Sequence, residues 1–243
     1  MSIAYIRFEL LRTFRNGRFF IFSFIFPLIL YFIIAGPNKN DHDFGGTGIS
    51  APLYYMIGLA AFGAMMTTIA TGARIAGERQ VGWNRQLRIT PLSARNYLGA
   101  KVVTAYMMAI LSILILYISG TILGVRLSAE HWLEMTGLIL VGLVPFAAFG
   151  IFVGHMLTVD SIGPVMGGTA SLLALVGGTW FPITSGVLFD IARFVPSYWL
   201  VQASHVSIGG HGWGARGWIT MAAWAVAMCF LAARAYRRDT KRV

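Results

Sequence analysis

Residues 74–101, RIAGERQVGWNRQLRITPLSARNYLGAK, form the longest polar interruption in an otherwise apolar chain. The stretch holds six basic residues (Arg74, Arg79, Arg85, Arg88, Arg95 and Lys101) and one acid, Glu78. So many cations cannot be left in hydrocarbon. The apolar runs on either side, 51–73 and 102–124, are each about the 20 residues a helix needs to cross a bilayer. The insert therefore divides two spans and fixes which side of a membrane they share.

Working outward, four more apolar stretches can span or nearly span: 19–35, 133–157, 162–181 and 217–233. Continuous apolar runs predict helices, since barrel strands would alternate in polarity. Of the 243 residues, 57% are apolar and 12% charged, against about a quarter charged in a soluble domain. The fold class expected is all-α: one polytopic transmembrane domain over 1–243 with six transmembrane helices. An N-terminal interfacial helix (1–18) precedes them, with Ile3, Ile6, Leu10 and Phe14 on one stripe and Phe8 and Leu11 off it.

Lys and Arg set the orientation. The N-terminal segment to Arg18 has four, the insert six and the tail from Arg234 five, so fifteen of nineteen lie on one side. The rule that positive loops stay inside puts both termini and the insert in the cytoplasm of a multi-pass inner (plasma) membrane protein. The net charge of +10 does not imply nucleic acid, because the cations flank apolar spans instead of forming one basic face.

Several chemistries are excluded or disfavoured. The chain has no G-x-x-x-x-G-K-[ST] phosphate loop and only three lysines, so it cannot power itself with ATP through that motif. Its five histidines are scattered and its one cysteine, Cys229, stands alone, so no metal set is expected. His155, the only histidine in a span, reads as an interhelical hydrogen-bonding group. No small-residue cleavage site of signal-peptide type follows the first apolar run. The middle of the membrane is nearly free of ionisable groups, which counts against a proton-driven carrier. Gly150–Gly154 and Gly163–Gly167 are GxxxG pairs that permit close helix approach. Phe62, Met65, Met66, Met107 and Met108 would suit either packing or an apolar lining.

The segment 177–199, GGTWFPITSGVLFDIARFVPSYW, is too broken to span and too apolar for a free loop. It predicts short re-entrant helices over 177–205 on the outer face, since non-helical backbone at that depth must be covered by protein or line a cavity. Trp180, Phe181, Pro182, Pro196, Tyr198 and Trp199 are candidate outer-gate residues; an aromatic belt at the interface would use the same residue types.

The insert resembles the cytoplasmic loop of the ABC-2 type permeases, the membrane subunits of bacterial ATP-binding-cassette exporters. The matching residues are Glu78, Arg79, Gly82, Leu87, Thr90, Pro91, Leu92, Tyr97 and Lys101. The six-span plan, the interfacial helix and the aromatic-proline segment match as well, and the compact size is similar to permeases of the daunorubicin-exporter type. The resemblance implies a transporter half without enzymatic activity of its own. A separate ATP-binding subunit would carry ATP and Mg and dock on the insert, and a second permease subunit would pair with the chain in lipid. The coupling residues it points to are Glu78, Arg79, Gly82, Trp83, Arg85, Leu87, Arg88, Thr90 and Pro91. Residue chemistry fits this: the arginines can meet acids of a partner, Trp83 and Leu87 share a helical face, and Pro91 would end a helix over 78–91. The expected function is export of a hydrophobic or amphiphilic substrate. An ion-coupled carrier and a non-transporting assembly subunit are the alternatives.

Overall fold

Helices, and no strands, build the described residues of the computed structural model, which are 3–83, 86, 93–208 and 213–241. Helix α1 (Ile3–Phe14) is followed by α2, which runs as Gly17–Phe20, widens into a π-turn over Ile21–Ile25 and continues as Phe26–Ala35. Pro27 accounts for the widened turn. It has no N–H to donate and its ring crowds the carbonyl four residues back, so the ladder shifts just before it. Next come α3 (Ala51–Ala73), α4 (Ile75–Gln80), α5 (Ala94–Ile122), α6 (Ala129–Gly142) and α7 (Val144–Met156). The chain then forms α8 (Val159–Gly177), the short α9 (Gly186–Ala192) and α10 (Pro196–Gln202), and α11 (Ala215–Lys241).

Local chemistry sets these boundaries. Ser93 and Ser128 cap α5 and α6, each hydroxyl accepting a backbone N–H three residues on, at 3.3 Å. Pro145, in the first turn of α7, kinks α6 and α7 into one bent segment. Gly178 stops α8 at φ 73°, a left-handed conformation that suits glycine.

Five helical stretches are long and apolar enough to cross a membrane: Ala51–Gln80, Arg95–Ile122, Ala129–Met156, Val159–Gly177 and Ala215–Asp239. The protein is an all-α polytopic membrane protein. The first expected span, 19–35, is helical but belongs to the shorter apolar helix Ile21–Ala35. The last, expected over 217–233, extends to Lys241 because residues expected as a basic flank continue the helix.

Helix α3 is the axis of the fold. Between Ala51 and Ala73 every residue is buried except Phe62, Met66 and Ala70, and α5 and α7 are its main neighbours. Small residues make this possible. A Cβ on Gly72 would lie 2.4 Å from the carbonyl carbon of Gly150, and one on Gly154 would lie 2.4 Å from the Gly72 oxygen. The Gly150–Gly154 pair is thus the α3–α7 crossing, where backbones touch. Gly163 and Gly167 on α8 have nothing within 4 Å of a built Cβ. Only Ala174 and Gly177 of α8 are buried, leaving its face open. The methionine set does not form one lining: Met65 and Met108 are in the core, whereas Met107 faces outward.

Candidate functional site

The insert begins with α4, and two adjacent side chains on it engage different parts of the bundle. Glu78 is 1% exposed. Its carboxylate accepts from the Lys101 ammonium of α5, from the Tyr97 hydroxyl of α5, and from Arg12 of α1 at 2.7 Å. Lys101, equally buried, also donates to Glu9 of α1 at 2.9 Å. Two carboxylates and two cations therefore balance in a space closed to solvent on the Lys101 side. Tyr5 donates to Glu9 at 3.2 Å. Burial first, then the Glu9 and Glu78 carboxylates, push the Tyr5 pKa well above the ordinary phenol value, so it stays a proton donor.

Arg79, the next residue, turns the opposite way. It pairs with Asp239 of α11 at 2.9 Å and donates to the carbonyls of Gly154 and Leu157 at the end of α7. Asp239 reaches His155 of α7 with its other oxygen at 3.0 Å, and the His155 ring stands edge-on to Tyr236. The lone histidine of a span is thus an interhelical hydrogen-bonding group. Through Glu78 and Arg79, one short helix is tied to α1, α5, α7 and α11. Replacing Arg79 with glutamine should cost about 1–2 kcal/mol, since the pair is partly open to solvent. Hydrogen exchange in the last two turns of α11 should speed up, as deuterium-exchange mass spectrometry would report.

Glu78, expected as a coupling residue, and Arg79, expected among the arginines that can meet acids of a partner, are both engaged within the chain. A continuous helix over 78–91 is also not formed, because α4 ends at Gln80 and Gly82 takes φ 71°. The chain is helical again at Trp83, which is half-buried beside Tyr5. Arg85, Leu87, Arg88, Thr90 and Pro91 lie outside the described residues. On α1, Ile3 and Phe14 of the expected apolar stripe are exposed. Glu9 and Thr13 point into the bundle, whereas Phe8, Leu11 and Phe14 point out, because Glu9 is drawn to Lys101. Glu9 and Asp239 were missing from the residues read as a site. Each is the sole acid of a basic terminal segment, a signal that the sequence does carry.

At the far end, α9 and α10 are the short helices expected between 177 and 205, and Pro196 opens α10 in its first turn. Tyr54 and Tyr55, at the start of α3, donate to the carbonyls of Gly178 and Trp180 and so hold the turn that leaves α8. The Trp180 ring meets Phe62 of α3 with centroids 6.0 Å apart, while Phe181 is partly exposed. Pro182 and Tyr198 line one cavity of about 210 Å³, together with His205, whose imidazole pKa burial holds below the usual value. Trp199 is turned elsewhere, with its indole N–H on the Arg193 carbonyl at 3.1 Å. The six aromatic and proline residues thus do not share one environment. Changing Tyr54 and Tyr55 together to phenylalanine should lower stability by about 1 kcal/mol per lost hydrogen bond. The change should appear as a lower melting temperature with faster exchange at 178–184.

Comparison with known proteins agrees with this architecture. Residues 48–234 match the family model described as "ABC-2 family transporter protein". The chain is 32% identical over 196 residues to a Bacillus subtilis (strain 168) protein named "Putative transport permease YvfS", covering 78% of each chain. The axis helix, the insert, the turn after α8 and most of α11 all lie within the matched range, and the chain belongs to the ABC-2 family of transporter proteins.

Proposed function

We propose that this chain is the membrane half of an ATP-driven exporter, and that a separate ATP-binding subunit docks on residues 74–101. The observation that carries the reading is the engagement of α4 on two sides: a push on the insert is passed by Glu78 to α1 and α5, and by Arg79 to α7 and α11. Side chains that hold the insert to the bundle transmit movement; the partner's contacts are made by the segment that follows, from Val81 and Trp83 onward. Val81 is 71% exposed, which suits an apolar contact at the rim of an interface. The partner holds ATP and Mg. Two permease subunits, identical or not, rock against each other in the bilayer, and an amphiphilic substrate leaves past the Trp180–Tyr198 end. Both termini and the insert face the cytoplasm of the plasma membrane, as the distribution of Lys and Arg implies.

Co-expression with the ATP-binding subunit tests this. The partner should co-purify with the parent chain and be lost when Trp83→Ala is combined with Arg85→Glu, while the variant keeps its melting temperature. Unchanged co-purification, or no partner on the parent chain, overturns docking at the insert.

A further inference from the structure

A cavity of about 720 Å³ lies between α1, the insert end of α3 and the start of α8. Its size is that of small-molecule sites. Its walls differ in character. Phe8 and Leu11 of α1 and Ile162 and Met166 of α8 give it an apolar side. Arg12, Arg15 and Arg74 supply the other side, and no acid is among its lining residues.

Arg12 is already paired with Glu78 and Glu9, so the uncommitted charge of this wall is that of Arg15 and Arg74. Glu9 and Glu78 lie behind the wall and are already balanced by Lys101 and Arg12. Arg74 donates to one neutral hydroxyl, that of Thr13, and among the described residues no carboxylate lies within ion-pair distance of it. A guanidinium has five N–H donors in a planar fork suited to carboxylate and phosphate. Arg15 likewise has no ion pair among the described residues. Two positive charges beside an apolar wall attract an anion more strongly than they would in water.

The geometry points to a binding site for an anionic amphiphile, with a phosphate or carboxylate head on Arg74 and Arg15 and an apolar tail along Ile162 and Met166. The open face of α8 lets a tail enter sideways from the surrounding lipid. Such a ligand is either cargo or a lipid of the leaflet. As cargo it names the substrate class of the exporter and rests on that reading; binding itself requires no partner subunit.

The test uses the purified chain, without an ATP-binding subunit, in phosphatidylcholine nanodiscs. A photoreactive hexadecyl phosphate is compared with the matching neutral alcohol, and the labelled peptides are mapped. The phosphate probe should label α1 and α8 at least fivefold more than the alcohol, and Arg74→Gln with Arg15→Gln should reduce that preference to below twofold. Met166→Trp, on the wall remote from the charges, should lower labelling by both probes and serves if the arginine variant does not fold. Suppression by phosphatidylglycerol in the nanodisc marks a lipid as the source, and suppression by lysophosphatidate alone marks a single-chain ligand. Equal labelling by the two probes, a preference unchanged in the arginine variant, or labels mapping elsewhere overturn the site. Because no ATPase is present, these outcomes leave docking at the insert untouched.

Discussion

Replacing Lys101 with methionine is expected to destabilise the protein by about 3–5 kcal/mol, the range seen when one partner of a buried ion pair is removed. The size follows from what is left behind. Glu9 and Glu78 are each 1% exposed and both point at the Lys101 ammonium. Without it, two carboxylates share a space in which the one paired cation is Arg12, whose side chain is 41% exposed, and Arg74 acts on them only from beyond ion-pair distance. One glutamate must take up a proton or the space must open to water. Methionine keeps the apolar length of lysine, so the loss is one of charge and not of packing. Removing a carboxylate as well should recover part of the stability: Glu9→Gln with Lys101→Met is expected to melt above Lys101→Met alone. Thermal unfolding in detergent, followed on all three variants and the parent chain, would show this order.

Gly150→Val is the second large effect. A single Cβ there would already lie 2.5 Å from the Ile69 carbonyl oxygen and 2.9 Å from the Ile69 Cα. Both atoms are backbone of the buried axis helix and cannot rotate away, so α3 and α7 must separate. Overpacking in a tight core costs about 1–3 kcal/mol, occasionally more, and two further γ-methyls on a backbone contact belong at the upper end. Displacing α7 also carries Gly154 away from α4, whose Arg79 bonds to its carbonyl at 3.3 Å. Reduced yield of monodisperse protein and a lower melting temperature are the expected results. Gly163→Val, on the open face of α8, is the matched control and should melt like the parent.

The sequence makes the membrane class, the helical runs, the insert and the broken segment after α8 legible, since each rests on local polarity and on glycine or proline. Gly150–Gly154 and Gly163–Gly167 show where that stops. Both have the same spacing, yet among the described residues of this chain only the first sits at a crossing. Spacing states that helices can approach, whereas the partner helix lies far away in the chain. The same holds for the charges. Glu9 and Lys101 stand 92 residues apart, and Arg79 and Asp239 stand 160 apart. A count of cations by side does not show which of them pair with an acid far away in the chain. The missed clue was opposite in sign: each of the three basic segments holds one acid (Glu9, Glu78 and Asp239), and each of those acids is paired inside the fold. On α1, the inward position of Glu9 is set by its pair with Lys101, a contact that no local pattern shows.

In the proposed reading the insert has two separable tasks, holding on to the bundle through Glu78 and Arg79 and meeting a partner through the residues after Gln80. The most direct measurement places a photocrosslinking amino acid at Val81, which is exposed and takes part in neither ion cluster, and irradiates membranes that contain the ATP-binding subunit. An adduct with that subunit is expected at position 81 and none at Val187, which is equally exposed at the far end. A complex that co-purifies yet gives no adduct at 81, or gives one at 187 instead, would contradict an insert that receives the stroke of a partner ATPase.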